Sequence, residues 1–354
     1  MNTLKNFHTG ITSIPSATAW YLADLGEFRG KKEMFLHQTP QKLQALREHA
    51  MVESAVSSNR IEGIEIDQRR VGTVIFGRSL LRDRNEEEIR GYRDALGEIH
   101  ENASALPVSV KTILAFHEKC LSGAGDAGRL KEKEGDIIEK YPDGRIRVRF
   151  KTVAPEQTAP FINELVSLYS RSVDEKTVHP IITLSAFNLD FLCIHPFRDG
   201  NGRVSRLLLL LQLYQLGYDV GRYISLERLI EENKERYYET LEQSSAGWHE
   251  AKHDPWPYIN YVLFIIKSAY KELETRLNQI KDSRGAKTQM IESAIQEFRE
   301  PFSLNQLERA CRGVSRDMIR RTLRNLQKQD VVECLGRGPG AGWQKKGNVL
   351  KRGE

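Results

Sequence analysis

The residue types with the clearest chemical use lie together between His195 and Arg206, in the run His-Pro-Phe-Arg-Asp-Gly-Asn-Gly-Arg-Val-Ser-Arg. Apolar segments precede and follow this polar run, so we expect it to be a loop between two buried helices. Gly200 and Gly202 let backbone N–H groups approach a ligand closely, and a helix that begins there favours an anion at its N-terminus. The run therefore predicts a phosphate-binding loop.

Four ionisable side chains of the run have separate uses at such a site. Arg203 and Arg206 are three residues apart, so both guanidinium groups are expected on one side of the first helical turn, facing the same anion. Asp199 can hold a divalent cation that bridges phosphates. His195 is a general base for neutral pH. No Gly-Lys-Ser/Thr follows the glycines, so the run is not a P-loop.

The run resembles the signature of the Fic family, His-Pro-Phe-x-Asp/Glu-Gly-Asn-Gly-Arg-x-x-Arg, at every fixed position. The resemblance implies an adenylyltransferase that moves AMP from Mg·ATP to a Ser, Thr or Tyr hydroxyl of a protein target and releases pyrophosphate. It implies that His195 deprotonates the attacking hydroxyl, that Asp199 places Mg²⁺ on the phosphates and that Phe197 packs inward. It assigns the binding of the ATP phosphates to Gly200, Asn201, Gly202, Arg203 and Arg206.

A second motif ends a helix predicted from about residue 40 to Gly63. Ser58 and Glu62 are four residues apart and share a helix face. Taken alone, a glutamate before a helix-ending glycine is a solvated charge beside a C-cap. The segment also matches the Fic family's inhibitory motif, Ser/Thr-x-x-x-Glu-Gly/Asn. That resemblance implies that Glu62 pairs with Arg206 and leaves ATP in an unproductive pose. The sequence leaves open whether Glu62 also serves to remove AMP.

Alternating residues around Asp143-Gly144 predict a β-hairpin. By itself this is an exposed ribbon, whereas the resemblance implies a flap that pairs with an extended segment of the target. A helix predicted over Ile230–Gln243 carries Tyr237 and Tyr238, and adjacent aromatic residues on a helix are commonly packing residues. The resemblance implies that one of them contacts the adenine or ribose, with Asn233 as a further candidate.

The segment His249-Glu250-Ala251-Lys252-His253 satisfies the zinc-peptidase pattern H-E-x-x-H. That pattern requires a continuing helix, but Gly247 precedes the segment and Pro255 follows it, and no third ligand stands in a recognisable position. The sequence therefore favours a turn over a zinc site here.

The C-terminal region, predicted as residues 285–354 after a polar break at 281–285, is basic. Its net charge is +7 over residues 281–354, against −2 over residues 1–280. Three predicted helices and a hairpin indicate a winged helix-turn-helix. Its third helix, capped by Ser315, carries arginines suited to the phosphates of a DNA groove, namely Arg316, Arg320, Arg321 and Arg324. Winged helices also bind proteins, so both kinds of partner stay open.

The whole chain, of 354 residues with 40% hydrophobic and 29% charged residues, is expected to be mostly α. We expect an N-terminal helical region over residues 1–100 with the inhibitory helix at about 40–63, a Fic catalytic core with the hairpin flap over 101–280, and the winged helix. No firm element is predicted before residue 38. Four widely spaced cysteines and the lack of an apolar signal or membrane-spanning segment predict a cytoplasmic protein.

Other functions remain open at this stage. Some Fic relatives transfer phosphate or phosphocholine, and the intact Gly202 and Arg203 favour AMP over phosphate. The sequence also leaves open a different class of function, that of an ATP-sensing, DNA-binding transcriptional regulator without transferase activity. The target could also be the chain itself, and a homodimer is left open.

Overall fold

The structure, a computed structural model, describes residues 2–9, 13–31, 40–77, 80–140, 143–282, 286–298, 300–311, 314–336 and 342–346. The chain divides into two compact units, one of residues 1–36 and 42–273 and the other of residues 37–41 and 274–354. Helices dominate both units, which confirms the expected mostly α class. None of the described helices is long and apolar enough to cross a membrane.

The N-terminal part of the larger unit consists of helices. They are α1 (Asn2–Thr9), α2 (Ser16–Gly30), α3 (Pro40–Ile61), α4 (Val71–Phe76) and α5 (Arg84–Asn102). The part that follows adds a hairpin to more helices. These elements are α6 (Val110–Cys120), β1 (Ile137–Lys140), β2 (Ile146–Phe150), α7 (Pro155–Glu175), α8 (Pro180–Ile194), α9 (Asn201–Gln215), α10 (Leu226–Glu232), α11 (Lys234–Ser245) and α12 (Trp256–Asp282).

Helices α8 and α9 form the centre of the larger unit. Every residue from Ile181 to Ile194 is buried, and so is every residue of α9 up to Tyr214 except Gly202. A helix that is apolar all round must be enclosed by other elements, and α8 packs against α1, α7 and α9. Because both flanking helices are fixed in the core, the short polar loop between them is held rigidly.

Several element boundaries differ from the sequence predictions. Helices α1 and α2 were not predicted; α1 is held by a tertiary contact, since the backbone N–H groups of Thr3 and Leu4 donate to Asp190 at 3.0 Å each. The single helix predicted over residues 230–243 is two helices, α10 and α11, separated at Asn233.

The predicted hairpin is present, and its two strands are antiparallel. Ile138 faces Val148 and Lys140 faces Ile146 in the register of β1 and β2. Tyr141 and Pro142, which come directly before the predicted turn at Asp143-Gly144, lie outside the described residues.

The smaller unit contains three helices after α12 and a small sheet. The elements are α13 (Ala286–Glu297), β3 (Phe302–Ser303), α14 (Leu304–Ala310), α15 (Arg316–Lys328), β4 (Val332–Leu335) and β5 (Gly342–Lys345). The strands are antiparallel in the order β3-β5-β4. Phe302, Leu307, Ile319 and Leu323 are part of its own apolar core. Helix α12 extends into the predicted break at 281–285 as far as Asp282, and residues 283–285 lie outside the described ranges.

Candidate active site

The loop between α8 and α9 borders an open cleft of about 340 Å³, within the size range of small-molecule sites. Four parts of the larger unit meet there: the loop, the hairpin, helix α11 and the C-terminal end of α3. The lining residues include Glu62, Asp136, Arg149, Phe150, His195, Arg198, Gly202, Tyr237, Tyr238 and Glu242.

His195 closes α8 in a left-handed backbone conformation, with φ 52° and ψ 62°. Its ring Nδ1 lies 3.3 Å from the Leu192 carbonyl oxygen. A carbonyl only accepts hydrogen bonds, so Nδ1 must carry the proton and donate it. The other ring nitrogen, Nε2, is then the one free to take a proton from a ligand in the cleft.

Lys131, which lies in a segment without a sequence motif, holds the backbone on both sides of His195. Its backbone N–H donates to the Pro196 carbonyl at 2.9 Å, and its ammonium group donates to the Ile194 carbonyl at 3.3 Å and to Thr152 Oγ1 at 2.8 Å. Burial lowers the pKa of Lys131 to about 8. Burial, and then the Lys131 charge, lower the pKa of His195 to about 4. His195 is therefore a neutral base at pH 7.

The loop is braced from within and from α6. The Asn201 side chain bonds both the N–H and the carbonyl of Phe197, at 2.9 and 2.7 Å, so it is committed to the loop rather than free for a phosphate. The buried Phe197 ring stacks on His117, with 3.7 Å between centroids. His117 Nδ1 accepts from the Gly128 N–H at 2.9 Å, which leaves Nε2–H to donate to the Asp199 carbonyl at 3.1 Å. The sequence signal for His117 was a histidine on the apolar face of its helix.

The Asp199 side chain is 56% exposed and lies 3.5 Å from the Arg203 guanidinium, measured from Oδ2 to Nη2. Among the described residues there is no cluster of three or more His, Cys, Asp or Glu side chains that could enclose a metal ion. Mg²⁺ commonly takes one or two protein carboxylates and completes its shell with water and substrate phosphates. An exposed carboxylate at a phosphate-binding loop fits that mode.

Arg206 is bound by the C-terminal end of α3. Its Nε donates to Ser58 Oγ, and its Nη2 donates to the Ser58 carbonyl and to Glu62 Oε1, each at 2.8 Å. Burial opposes the charge of Arg206, but the Glu62 carboxylate raises its pKa above the ordinary value, so it stays charged. The ion pair expected between Glu62 and Arg206 is therefore present.

Glu62 also occupies the space over the first turn of α9. A Cβ atom at Gly202 would overlap the Glu62 carboxylate, so glycine at this position leaves room for Glu62 to lie where it does. The N-terminus of a helix favours a negative charge. Glu62 thus lies where the loop would otherwise receive an anionic group of a ligand. Gly63, with φ 84°, ends the segment.

Arg203 points elsewhere, which corrects the expectation that both arginines face one anion. Its side chain is fully buried and pairs with Glu88 of α5, and it also donates to Asn59 at 3.3 Å and to the Cys120 carbonyl at 3.4 Å. A buried guanidinium needs a carboxylate partner, and Glu88 supplies it from behind the loop. In this structure Arg203 braces the loop, and Arg206 is the arginine at the cleft.

The two tyrosines of α11 line the cleft, whereas Asn233 does not. Tyr237 is buried and Tyr238 is half-buried; both line the cleft, with 5.1 Å between their ring centroids. Asn233 donates from Nδ2 to the Leu229 carbonyl at 2.8 Å and ends α10, and it is not among the residues lining the cleft.

The hairpin is held over the cleft by charged contacts. Arg147 and Arg149 of β2 both donate to Glu242 of α11, at 2.9 and 2.5 Å. The opposite face of the hairpin carries the exposed side chains of Ile138 and Val148. One face of the hairpin is thus attached to α11 while the other meets solvent.

The H-E-x-x-H segment is a turn between α11 and α12, as its flanking residues indicated. Ala251 has φ 57°, which interrupts any helix between the two histidines. The rings of His249 and His253 bond different groups, the Lys151 carbonyl at 2.7 Å and Thr3 Oγ1 at 2.8 Å.

Comparison with known families matches residues 107–213 to the Fic/DOC family. Among curated proteins, the chain is 26% identical over 253 residues to the protein adenylyltransferase fic-1 of Caenorhabditis elegans, covering 68% of this chain and 43% of that one. It is 26% identical over 217 residues to the protein adenylyltransferase Fic of Nematostella vectensis, covering 58% and 44%. The matched region spans less than half the length of these curated relatives.

Solved structures share the fold at lower identity. A Fic family protein from Desulfovibrio desulfuricans superimposes with a TM-score of 0.64 at 22% identity, covering 96% of this chain and 99% of that one. Fic-1 from C. elegans superimposes with a TM-score of 0.57 at 20% identity, covering 74% of each chain.

Proposed function

We propose that this chain is a protein adenylyltransferase, because residues 107–213 form a domain of the Fic/DOC family. It transfers AMP from ATP to a Ser, Thr or Tyr hydroxyl of a protein target. The observation that carries the proposal is His195, a neutral base with a free Nε2, facing the same cleft as the Gly202 end of α9 and the α11 tyrosines. The adenylyltransferase names of the relatives support the same reaction.

The chemical step needs one base and one phosphate site. His195 takes the proton of the target hydroxyl as its oxygen bonds to the α-phosphorus of ATP, and the bond from that phosphorus to the bridging oxygen breaks, releasing pyrophosphate. The N-terminus of α9 and the Arg206 guanidinium bind the negative oxygens. Tyr237 and Tyr238 receive the nucleoside, and the hairpin aligns an extended segment of the target.

Asp199 is the residue that would hold Mg²⁺ on the ATP phosphates. The ion, when bound, neutralises phosphate charge during transfer. The contribution of the chain is to keep the Asp199 carboxylate exposed at the loop, beside the braced Arg203.

The resting state is proposed to be inhibited by α3. Glu62 accepts a hydrogen bond from the Arg206 N–H group that would otherwise orient the outer phosphate of ATP. Ser58 accepts a second hydrogen bond from the same guanidinium. The inhibitory helix is therefore the segment that ends at Glu62 and Gly63. We also propose a cytoplasmic location, since all four cysteines are free thiols.

Labelled ATP tests the reaction directly. The Glu62→Gly variant is incubated with Mg²⁺, a cell lysate and ATP carrying label at the α- or the γ-phosphate, and proteins are separated on a denaturing gel. We expect protein-bound label only from the α-phosphate, on lysate proteins or on the enzyme itself. Label only from the γ-phosphate would make the chain a kinase, and no label from either would refute transfer.

The smaller unit supports a second candidate function, binding of DNA. Helix α15 buries one face and exposes the side chains of Arg320, Arg321 and Arg324, an electrostatic footprint suited to phosphates. Arg316 is a poorer candidate than predicted, because its guanidinium bonds Glu308 and Asn305 at 3.1 and 3.0 Å. We propose that the unit is a winged helix and α15 its DNA-contacting helix.

Salt dependence of DNA binding tests this second candidate. Duplex DNA of mixed sequence should bind the full chain, with an affinity that falls as salt rises. Replacing both Arg321 and Arg324 by Gln should weaken binding and flatten the salt dependence by about one unit for each arginine–phosphate interaction removed. Equal binding by the parent chain and by the double variant would reject α15 as the contact surface, and absence of DNA binding by the parent chain would reject this candidate function.

A further inference from the structure

Helix α3 has a second buried attachment to the core, one turn before Ser58. Glu227, in the first turn of α10, is 1% exposed. Its two carboxylate oxygens accept hydrogen bonds from two different helices: Ser54 of α3 donates at 2.7 Å, and Tyr92 of α5 donates at 2.8 Å. Ser225 Oγ lies 2.9 Å from Ser54 Oγ. We call Ser54, Tyr92, Ser225 and Glu227 the buried anchor.

The carboxylate of Glu227 depends on the hydroxyl groups around it. A carboxylate removed from water is costly unless its oxygens accept hydrogen bonds. Within the described ranges no Lys, Arg or His forms an ion pair with Glu227, so the hydroxyl donors provide its stabilisation. One of them, Ser54, reaches it only while α3 is docked. The buried charge therefore favours the docked position of α3.

The anchor and the contact on Arg206 lie on the same side of α3. Ser54 and Ser58 are four residues apart and share a face of this helix. Ser54 donates to Glu227, and one turn later Ser58 accepts from Arg206. The same helix face therefore meets both the buried carboxylate and the guanidinium.

The remaining polar contacts between α3 and the segment of α10 are more exposed than the anchor. Glu53 pairs with Arg228 at 3.2 Å, with both side chains 18% exposed, and Arg60 pairs with Glu231 at 3.0 Å, with its own side chain 42% exposed. Lys234 donates to the Ile61 carbonyl at 2.7 Å. Exposed ion pairs contribute little because water and salt screen them. Removal of the buried carboxylate would therefore weaken the docking of α3 more than removal of the Arg60–Glu231 pair.

We infer that Glu227 is a positioning residue of the inhibitory device: it holds α3 in place through Ser54 and so sets how firmly Glu62 is presented to Arg206. The inference rests on the proposed autoinhibited transferase and adds the residue that determines the strength of inhibition. Glu227 belongs to α10, which leads directly into α11 and its cleft-lining tyrosines. A change in α10 would therefore reach the inhibitory helix and the nucleotide site together.

Ser54→Ala isolates the anchor. Alanine favours the helix more than serine does, so any loosening of α3 comes from the missing hydrogen bond and not from a weaker helix. A hydrogen bond to a charged group corresponds to about 10- to 100-fold in an equilibrium constant. We expect Ser54→Ala to raise basal AMP transfer by about 10-fold.

The control is Ser57→Ala, on the same helix, because no hydrogen bond from Ser57 to α10 occurs in the described structure. Glu227→Gln provides a second variant of the anchor.

Two readouts separate the anchor from the reaction. AMP transfer is measured with Glu62 present and in the Glu62→Gly background, where Ser54→Ala should add nothing. Backbone hydrogen exchange over residues 43–61 is measured in parallel, and it should be faster in Ser54→Ala than in Ser57→Ala. If Glu62→Gly transfers AMP but Ser54→Ala does not raise AMP transfer above the level of the parent chain, the inference is wrong. If Glu62→Gly itself transfers no AMP, the proposed function has failed. The hydrogen-exchange measurement still tests the anchor in that case, because equal exchange over residues 43–61 in Ser54→Ala and Ser57→Ala would reject it.

Discussion

His195→Ala in the Glu62→Gly background is expected to lower AMP transfer by about 10²- to 10⁴-fold, the usual contribution of a positioned general base. The structure gives His195 the one free ring nitrogen among the described residues that line the cleft, since Nδ1–H is committed to the Leu192 carbonyl. Binding of ATP should be retained, because Arg206 and the α9 N-terminus are untouched. Initial rates of protein labelling with α-labelled ATP measure the first effect, and equilibrium binding of a non-hydrolysable ATP analogue measures the second.

His49→Ala is the matched control for that loss. The His49 side chain is 58% exposed, pairs with Glu53 on the same helix and does not line the cleft, so its removal in the Glu62→Gly background should leave transfer close to the starting level. A comparable loss in His49→Ala would show that the loss in His195→Ala does not report on a general base. Retained transfer in the His195→Ala variant would mean that another group removes the proton.

Glu62→Gly is expected to raise AMP transfer by about 10- to 100-fold, the equilibrium equivalent of one hydrogen bond to a charged group. The substitution frees Arg206 Nη2 and clears the space over Gly202. Glu62 lies just beyond the last residue of α3, so glycine there does not interrupt the helix. Initial rates with α-labelled ATP and a fixed lysate give the ratio to the parent chain.

The control for Glu62→Gly is Glu65→Gly, which removes an exposed carboxylate three residues further on. Its transfer rate should match that of the parent chain. Equal activation by both substitutions would show that flexibility after α3, and not the ion pair with Arg206, restrains the enzyme. Unchanged activity in Glu62→Gly would reject autoinhibition and leave the transfer reaction itself standing.

Local patterns were sufficient to predict much of the site. The spacing of His195, the two glycines and Arg206 within one run predicted a loop between two buried helices, because a polar run between apolar segments has few other solutions. The four-residue spacing of Ser58 and Glu62 likewise placed both on one face of α3, and the resemblance to the Fic family implied the pairing of Glu62 with Arg206 that the structure contains. Turn residues located the hairpin.

Contacts between distant segments were not visible in those patterns. The three-residue spacing of Arg203 and Arg206 predicted a shared direction, but the direction of a long side chain depends on its partner, and Glu88 lies 115 positions away. Helix α1 depends on Asp190, and the break between α10 and α11 depends on the Asn233 side chain bonding Leu229. Lys131 and His117 act on the loop from segments that carry no motif.

In the proposed inhibited state, the Glu62 carboxylate competes with a phosphate for the Arg206 guanidinium while being tethered to the same chain. A tethered group acts at an effective concentration set by its attachment, commonly millimolar or above, and this value does not fall on dilution. Added ATP must therefore displace the Glu62 carboxylate, whose effective concentration near Arg206 is fixed by the fold. Relief of inhibition should respond more steeply to agents that shift the docking of α3 than to the supply of nucleotide. The enzyme would thus report on the position of a helix rather than on the energy state of the cell.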